Sequence, residues 1–290
     1  MLMVVALAQK KPPPNPGELS IEFPYSDTAI KALESRPRFD KIFISGKQPM
    51  SVRDARMFRS FPEVEFLQIW CGITRAGLRE ALVCPGLKRL SLFELKQGGR
   101  LEGLDKVTGL EELHCSFNLT ANDLREIARL PGLHSLGAQG STLTTTALES
   151  LLDANSLRKL DLESSNFNDE YARLISQSKQ ITSLEIGVTR ISRVGLEAIC
   201  QMTQLKELDL WSTRVREDDL DMLAALKHLE YLSVGGHDDQ TEFTPEGTFP
   251  KLEKIPSLKR VWLDGFRVTR DEWDYLNARY EEVKVTSVGD

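Results

Sequence analysis

One apolar spacing returns along almost the whole chain and leaves few folds open to it. The pattern L-x-x-L-x-L occurs at Val64/Leu67/Ile69, Leu87/Leu90/Leu92, Leu110/Leu113/Cys115, Leu133/Leu136/Ala138 and Leu157/Leu160/Leu162. It continues at Ile181/Leu184/Ile186, Leu205/Leu208/Leu210, Leu229/Leu232/Val234 and Leu258/Val261/Leu263. Phe39/Ile42/Ile44 reads as a first copy, and Val283/Val285 as a short last one. Successive copies start 23 to 25 residues apart, except for a step of 29 before Leu258. A unit of about 20–29 residues cannot bury an apolar face alone, so the copies must stack into one continuous core.

The second half of each unit carries its own signal. Thr74, Thr120, Thr144, Asn168, Ser192 and Thr269 stand ten or eleven residues after a copy begins. Each has a side-chain oxygen able to accept from the free N–H groups of a helix's first turn. Four residues on come Leu78, Leu124, Leu148, Ala172, Leu196 and Trp273, which predicts one inward apolar side chain per helix. Thr269 with Glu272 has the spacing of a capping box. Arg216 fills the same slot without the chemistry. The Phe93–Gly109 stretch has no capping residue, which predicts a short or missing helix there. The extra residues behind the 29-residue step fall at about 236–243, ahead of Thr244-Pro245, a cap followed by proline at the first helical position.

On these residues the chain resembles leucine-rich-repeat proteins. Its T-x-x-x-L-x-x-L segments are similar to the helix-bearing subtypes, the ribonuclease-inhibitor-like and cysteine-containing repeats, although the Asn usual after the strand is missing from most copies. The resemblance covers about residues 39–290. It implies an α/β fold: a right-handed horseshoe solenoid of about 10–11 repeats, with a concave parallel sheet and convex helices. For function it implies a binding scaffold and no more.

The expected organisation is a flexible leader and linker over 1–17 and a single solenoid domain over 18–290. Within that domain, 18–38 form an N-terminal cap (Leu19–Phe23, then a helix over Ser26–Ser35), 39–282 the repeats, and 283–290 a terminal strand and tail. Met1–Ala8 is apolar but lacks a preceding basic residue, so it reads either as a plain leader or as the remnant of a secretory signal. No stretch approaches the roughly 18 apolar residues of a membrane span. Against 37 Lys+Arg stand 43 Asp+Glu, a net charge of −6. Without a run of basic residues, this balance argues against a nucleic-acid partner.

Strand alternation sends the leucines inward and the residues between them onto the concave face. This places Phe43, Phe66, Trp70 and Phe93 at one end of that face, and Trp211, Tyr231 and Trp262 towards the other. Trp and Tyr are enriched at binding hot spots, so these seven are candidate partner-binding residues; the alternative is that they pack against caps. Between them stands a carboxylate ladder, Asp161, Glu163, Glu185, Glu207 and Asp209, of which Asp161, Glu185 and Asp209 share one column. It reads either as a surface for a basic partner or as a solvated acidic face.

No catalytic motif, cofactor or metal site is expected. His114 has no nucleophile or orienting carboxylate in a recognisable motif around it. His237-Asp238-Asp239 is a weak metal pattern, and Gly98-Gly99 lacks the flanking residues of a phosphate loop. Cys71, Cys84, Cys115 and Cys200 lie in separate places of the repeat, which predicts buried free thiols and leans towards a reducing compartment. The reading that follows is a protein-interaction scaffold with a concave binding face. The alternative is the recognition subunit of a larger apparatus, such as a ligase adaptor, a secreted effector or a receptor-like ectodomain.

Overall fold

A computed structural model describes residues 17–23, 39–96, 101–154, 156–236 and 243–289. The leader before Gly17, the Ser26–Ser35 helix, Gly98-Gly99 and His237-Asp238-Asp239 lie outside the described residues. In chain order the strands are β1 (Glu18–Phe23), β2 (Lys41–Gly46), β3 (Phe66–Ile69), β4 (Ile73–Thr74), β5 (Arg89–Leu92), β6 (Leu95–Lys96) and β7 (Glu112–Cys115). They are followed by β8 (Ser135–Ala138), β9 (Lys159–Asp161), β10 (Ser183–Glu185), β11 (Glu207–Asp209), β12 (Tyr231–Gly235), β13 (Arg260–Val268) and β14 (Glu282–Val288). All but β4 and β6 form one twelve-stranded sheet whose strands pair in sequence order.

Every pairing in that sheet is parallel, and the register runs without a slip from Phe43 through Gln68, Ser91, His114, Gly137, Asp161, Glu185, Asp209 and Ser233 to Trp262. The expected columns are therefore the observed ones. Leu67, Leu90, Leu113, Leu136, Leu160, Leu184, Leu208 and Leu232 face the other way and are buried in one continuous core. Leu19–Phe23, expected as part of a cap, is more than a cover: as β1 it pairs with β2 and joins the sheet.

The helices are α1 (Val52–Ala55), α2 (Arg75–Ala81), α3 (Ala121–Ile127), α4 (Thr145–Asp153), α5 (Asp169–Ile175), α6 (Arg193–Ile199), α7 (Pro245–Leu252) and α8 (Arg270–Arg279). All six expected caps accept a backbone N–H of the first turn, and Thr244 does the same for α7. The capping box at Thr269 and Glu272 is present, and Thr120 with Asp123 forms another. Where the cap is missing, at Arg216, the segment Glu217–Ala225 takes the tighter 3₁₀ form. Among the described residues, the uncapped repeat after Phe93 keeps only the 3₁₀ turn Leu104–Lys106.

Carboxylates at the helix starts also tie neighbouring repeats together. Asp169 of α5 accepts from the Ser192 and Gly195 N–H groups at the start of α6, at 2.8 and 3.1 Å, and from the Ser192 hydroxyl at 2.6 Å. Glu217 does the same for α7 through Thr244 N–H at 2.7 Å and the hydroxyls of Thr244 and Thr248. These bonds satisfy helix-end donors of the next repeat, so they fix the stacking of the units and with it the spacing of the concave columns.

Candidate functional site on the concave face

Three neighbourhoods succeed one another along the open side of the sheet. The first is aromatic and lies over β2, β3 and β5. Phe43 meets Phe66 edge to face at 5.5 Å, and the Trp70 indole stacks on Phe93 with ring centres 3.7 Å apart and planes 16° from parallel. The Arg89 guanidinium lies over the Phe66 ring at 4.8 Å. Trp70 is 52% exposed even with Phe93 beneath it, so this shelf presents a flat apolar surface to solvent.

Next comes a hollow of about 410 Å³, lined among others by Phe66, Arg89, Glu112, His114, Gly137, Lys159, Asp161 and Glu185. Its floor depends on one glycine. The His114 imidazole lies so close over Gly137 that a Cβ there would stand 2.1 Å from Nδ1. His114 Nε2 is 3.0 Å from the Ser116 hydroxyl. A hydroxyl therefore stands beside His114, two residues along the chain, without forming a recognisable catalytic motif. Among the described residues no hydrogen bond joins His114 to a carboxylate. Asp161 instead accepts from the Gln139 amide at 2.8 Å and from the Glu163 N–H at 2.9 Å.

The hollow opens onto the carboxylate ladder. Asp161, Glu185 and Asp209 are in register on β9, β10 and β11, with strands about 4.8 Å apart. Burial, with Asp161, Asp209, Glu207 and Glu163 around it, pushes the Glu185 carboxyl up to about 7. Burial also raises Asp161 and Asp209, although the backbone N–H of Glu163 and of Trp211 respectively holds each back. Glu163 is raised by burial and by the charges of Asp161 and Asp209. Glu207 departs from the ladder. Burial raises it, but Ser183, Arg260 and Lys159 outweigh that and leave it below the ordinary range. Its partners are the Arg260 guanidinium at 2.8 Å and Lys159 Nζ at 3.5 Å.

The far aromatics are bound into polar contacts. Trp211 donates its indole N–H to Asp264 at 2.6 Å, reaching across β12 to β13. On the strand between them, Gly235 has φ +103°, and a Cβ there would stand 1.9 Å from the Asp264 carbonyl oxygen. Only glycine fits that backbone position. Arg260 lies over the Tyr231 ring at 5.1 Å on its way to Glu207, and Lys284 lies over Trp262 at 5.5 Å. Burial and the Asp209 charge push the Tyr231 phenol up to about 12.

A family model described as a leucine-rich repeat region matches residues 65–264. The chain belongs to the leucine-rich-repeat family. Among solved structures it is similar to an internalin of Listeria monocytogenes, at 17% identity and a TM-score of 0.56, over 94% of this chain and 82% of that one. At that identity the likeness shows the fold alone. No curated protein matches the chain.

As a leucine-rich-repeat scaffold, the chain has a fold suited to holding proteins. Its ten candidate residues do not form one site. Phe43, Phe66, Trp70 and Phe93 come together as a shelf, Asp161, Glu185 and Asp209 as a column beyond the hollow, and Trp211, Tyr231 and Trp262 as a braced group. The hollow itself was not foreseen, though its signal was present: His114 and Gly137 are neighbours in one column, and a large side chain beside a glycine folds over it. All four cysteines are buried free thiols. No helix among the described residues is long and apolar enough to cross a membrane.

Proposed function

We propose that this leucine-rich-repeat protein is a protein-binding module that holds a partner segment on its concave face. The Trp70–Phe93 shelf takes an apolar side chain, and the hollow beside it takes a basic one against Asp161 and Glu185. The observation that carries this reading is the shelf: a tryptophan 52% exposed, prestacked on a phenylalanine, on the face its family scaffold leaves open. Ordering such a pair in advance lowers the entropy cost of binding, and exposed apolar patches mark interaction sites. The carboxyls of Glu185 and Asp161 support a basic side chain as the second contact, since a cation relieves the repulsion that, after burial, raises Glu185. Binding is favoured over catalysis because His114, beside the Ser116 hydroxyl, has no carboxylate bonded to its other nitrogen among the described residues.

The test is affinity capture with immobilised wild type, with a Trp70→Ala/Phe93→Ala variant, and with a helix-side Val83→Ser variant. Proteins retained by wild type and by Val83→Ser should be lost from the double variant. Retention by the double variant, with loss from Val83→Ser, would move the binding surface to the helices.

A further inference from the structure

The sequence contains no run of basic residues, yet folding assembles one. Arg214 and Arg216 follow β11, and Arg193 opens α6 in the preceding repeat. The Arg214 N–H bonds to the Ile191 carbonyl at 2.9 Å, so the two ascending loops run side by side. Their side chains line a separate hollow of about 500 Å³ together with Ser192, Asp218 and Asp219.

The carboxylates in this hollow are already committed. Asp219 is buried, accepts the Arg216 backbone N–H at 2.9 Å, and pairs with Arg193 at 3.0 Å. Arg193 also meets Glu197 at 3.3 Å, and Asp218 is drawn outward to Lys251 at 3.2 Å. That leaves the exposed guanidiniums of Arg214 and Arg216 with no ion pair among the described residues. In a chain of net charge −6, such a pair stands out.

We infer that this rim hollow is a second binding site, distinct from the concave face, that takes the side-chain carboxylates of an acidic peptide segment. A guanidinium presents parallel donors that match the two oxygens of a carboxylate. Asp218 and Asp219 on the same wall break the positive field into separate positions. Discrete glutamate or aspartate side chains can match those positions, whereas the uniform charge of a nucleic-acid backbone meets repulsion at each interruption. The two surfaces then read opposite charges: the concave face a basic segment, the rim an acidic one.

Fluorescein-labelled hexaglutamate, followed by anisotropy at low salt, tests this on the full chain. Wild type should bind it, with affinity falling as salt is added. Arg214→Gln/Arg216→Gln should weaken binding by about tenfold or more. Trp70→Ala should bind hexaglutamate like wild type, which separates this site from the concave reading. Equal binding by wild type and the double arginine variant would overturn the proposal, as would tighter binding of a labelled oligothymidylate of equal charge. A readout on the unmutated protein guards against misfolding of the variant. Phenylglyoxal modification of Arg214 and Arg216, mapped by mass spectrometry, should be suppressed by hexaglutamate, and unchanged modification would sink the idea.

Discussion

The two aromatic groups on the concave face lie on the same sheet but are held by different forces. Near β3 and β5 Phe66 lies under Arg89, but Trp70 and Phe93 lean on one another, with solvent above Trp70. Near β11 to β13 each ring has a polar partner, Trp211 with Asp264, Tyr231 under Arg260 and Trp262 under Lys284. A stacked pair without polar ties can exchange solvent for a partner at little cost. A ring bonded through its N–H must first break that bond, so it braces the sheet instead. The same residue type in the same column can therefore serve binding or stability, depending on what its neighbours two strands away supply.

Both groups ride on one leucine column, and the largest expected effect tests that premise. Leu184→Ala, on the strand beside the far group and fully buried, should cost about 2–5 kcal/mol in urea unfolding. A loss below about half a kcal/mol would show that the strands do not share the core described. Next in size is Trp70→Ala, which should weaken partner binding by about 1–4 kcal/mol while changing stability by less than about 1 kcal/mol. Trp211→Ala should reverse that profile, costing about 1–3 kcal/mol of stability through the lost bond to Asp264 and leaving partner affinity nearly intact. If the two tryptophan variants behave alike in both assays, the distinction between shelf and brace fails.

The smallest effect comes from the carboxylates between the groups. Glu185 has its carboxyl raised from 4.5 to about 7, so the folded protein binds its proton more tightly than the unfolded chain does. The resulting stability is fully present below 4.5 and is lost as pH rises through about 7. Melts across that window should therefore show the protein more stable at the acidic end, by about 1–2 kcal/mol, and Glu185→Gln should flatten the dependence. An unchanged slope in the variant would mean that Glu185 is solvated and the ladder electrostatically inert.

Much of this molecule was legible because its decisive contacts are local or periodic. Leu160, Leu184 and Leu208 recur at one spacing, and Thr120 or Ser192 needs only the next turn of chain to act as a cap, so sequence spacing alone places them. The interactions that sort the aromatics span two repeats. Trp211 and Asp264 are 53 positions apart, as are Arg260 and Glu207, and each contact depends on a side-chain direction that periodicity does not set. A partial signal did exist in the columns. Gly137 follows His114, and a glycine on the neighbouring strand gives a large side chain room to lie across it. The arginine hollow was hidden for a different reason: it is assembled from two loops, and no single stretch of sequence looks basic.

The claim that the open face of the sheet, at its aromatic shelf, is what a partner covers has one most direct measurement. Hydroxyl-radical footprinting of the chain, alone and with its captured partner bound, reads the side chains that lose solvent. Trp70 and Val83 stand in the same repeat on opposite sides and are both exposed, at 52% and 46%, so each serves as the other's control. Trp70 and Phe93 should lose most of their reactivity in the complex while Val83 and Tyr275 keep theirs. Protection of Val83 or Tyr275 with Trp70 still fully reactive would contradict it.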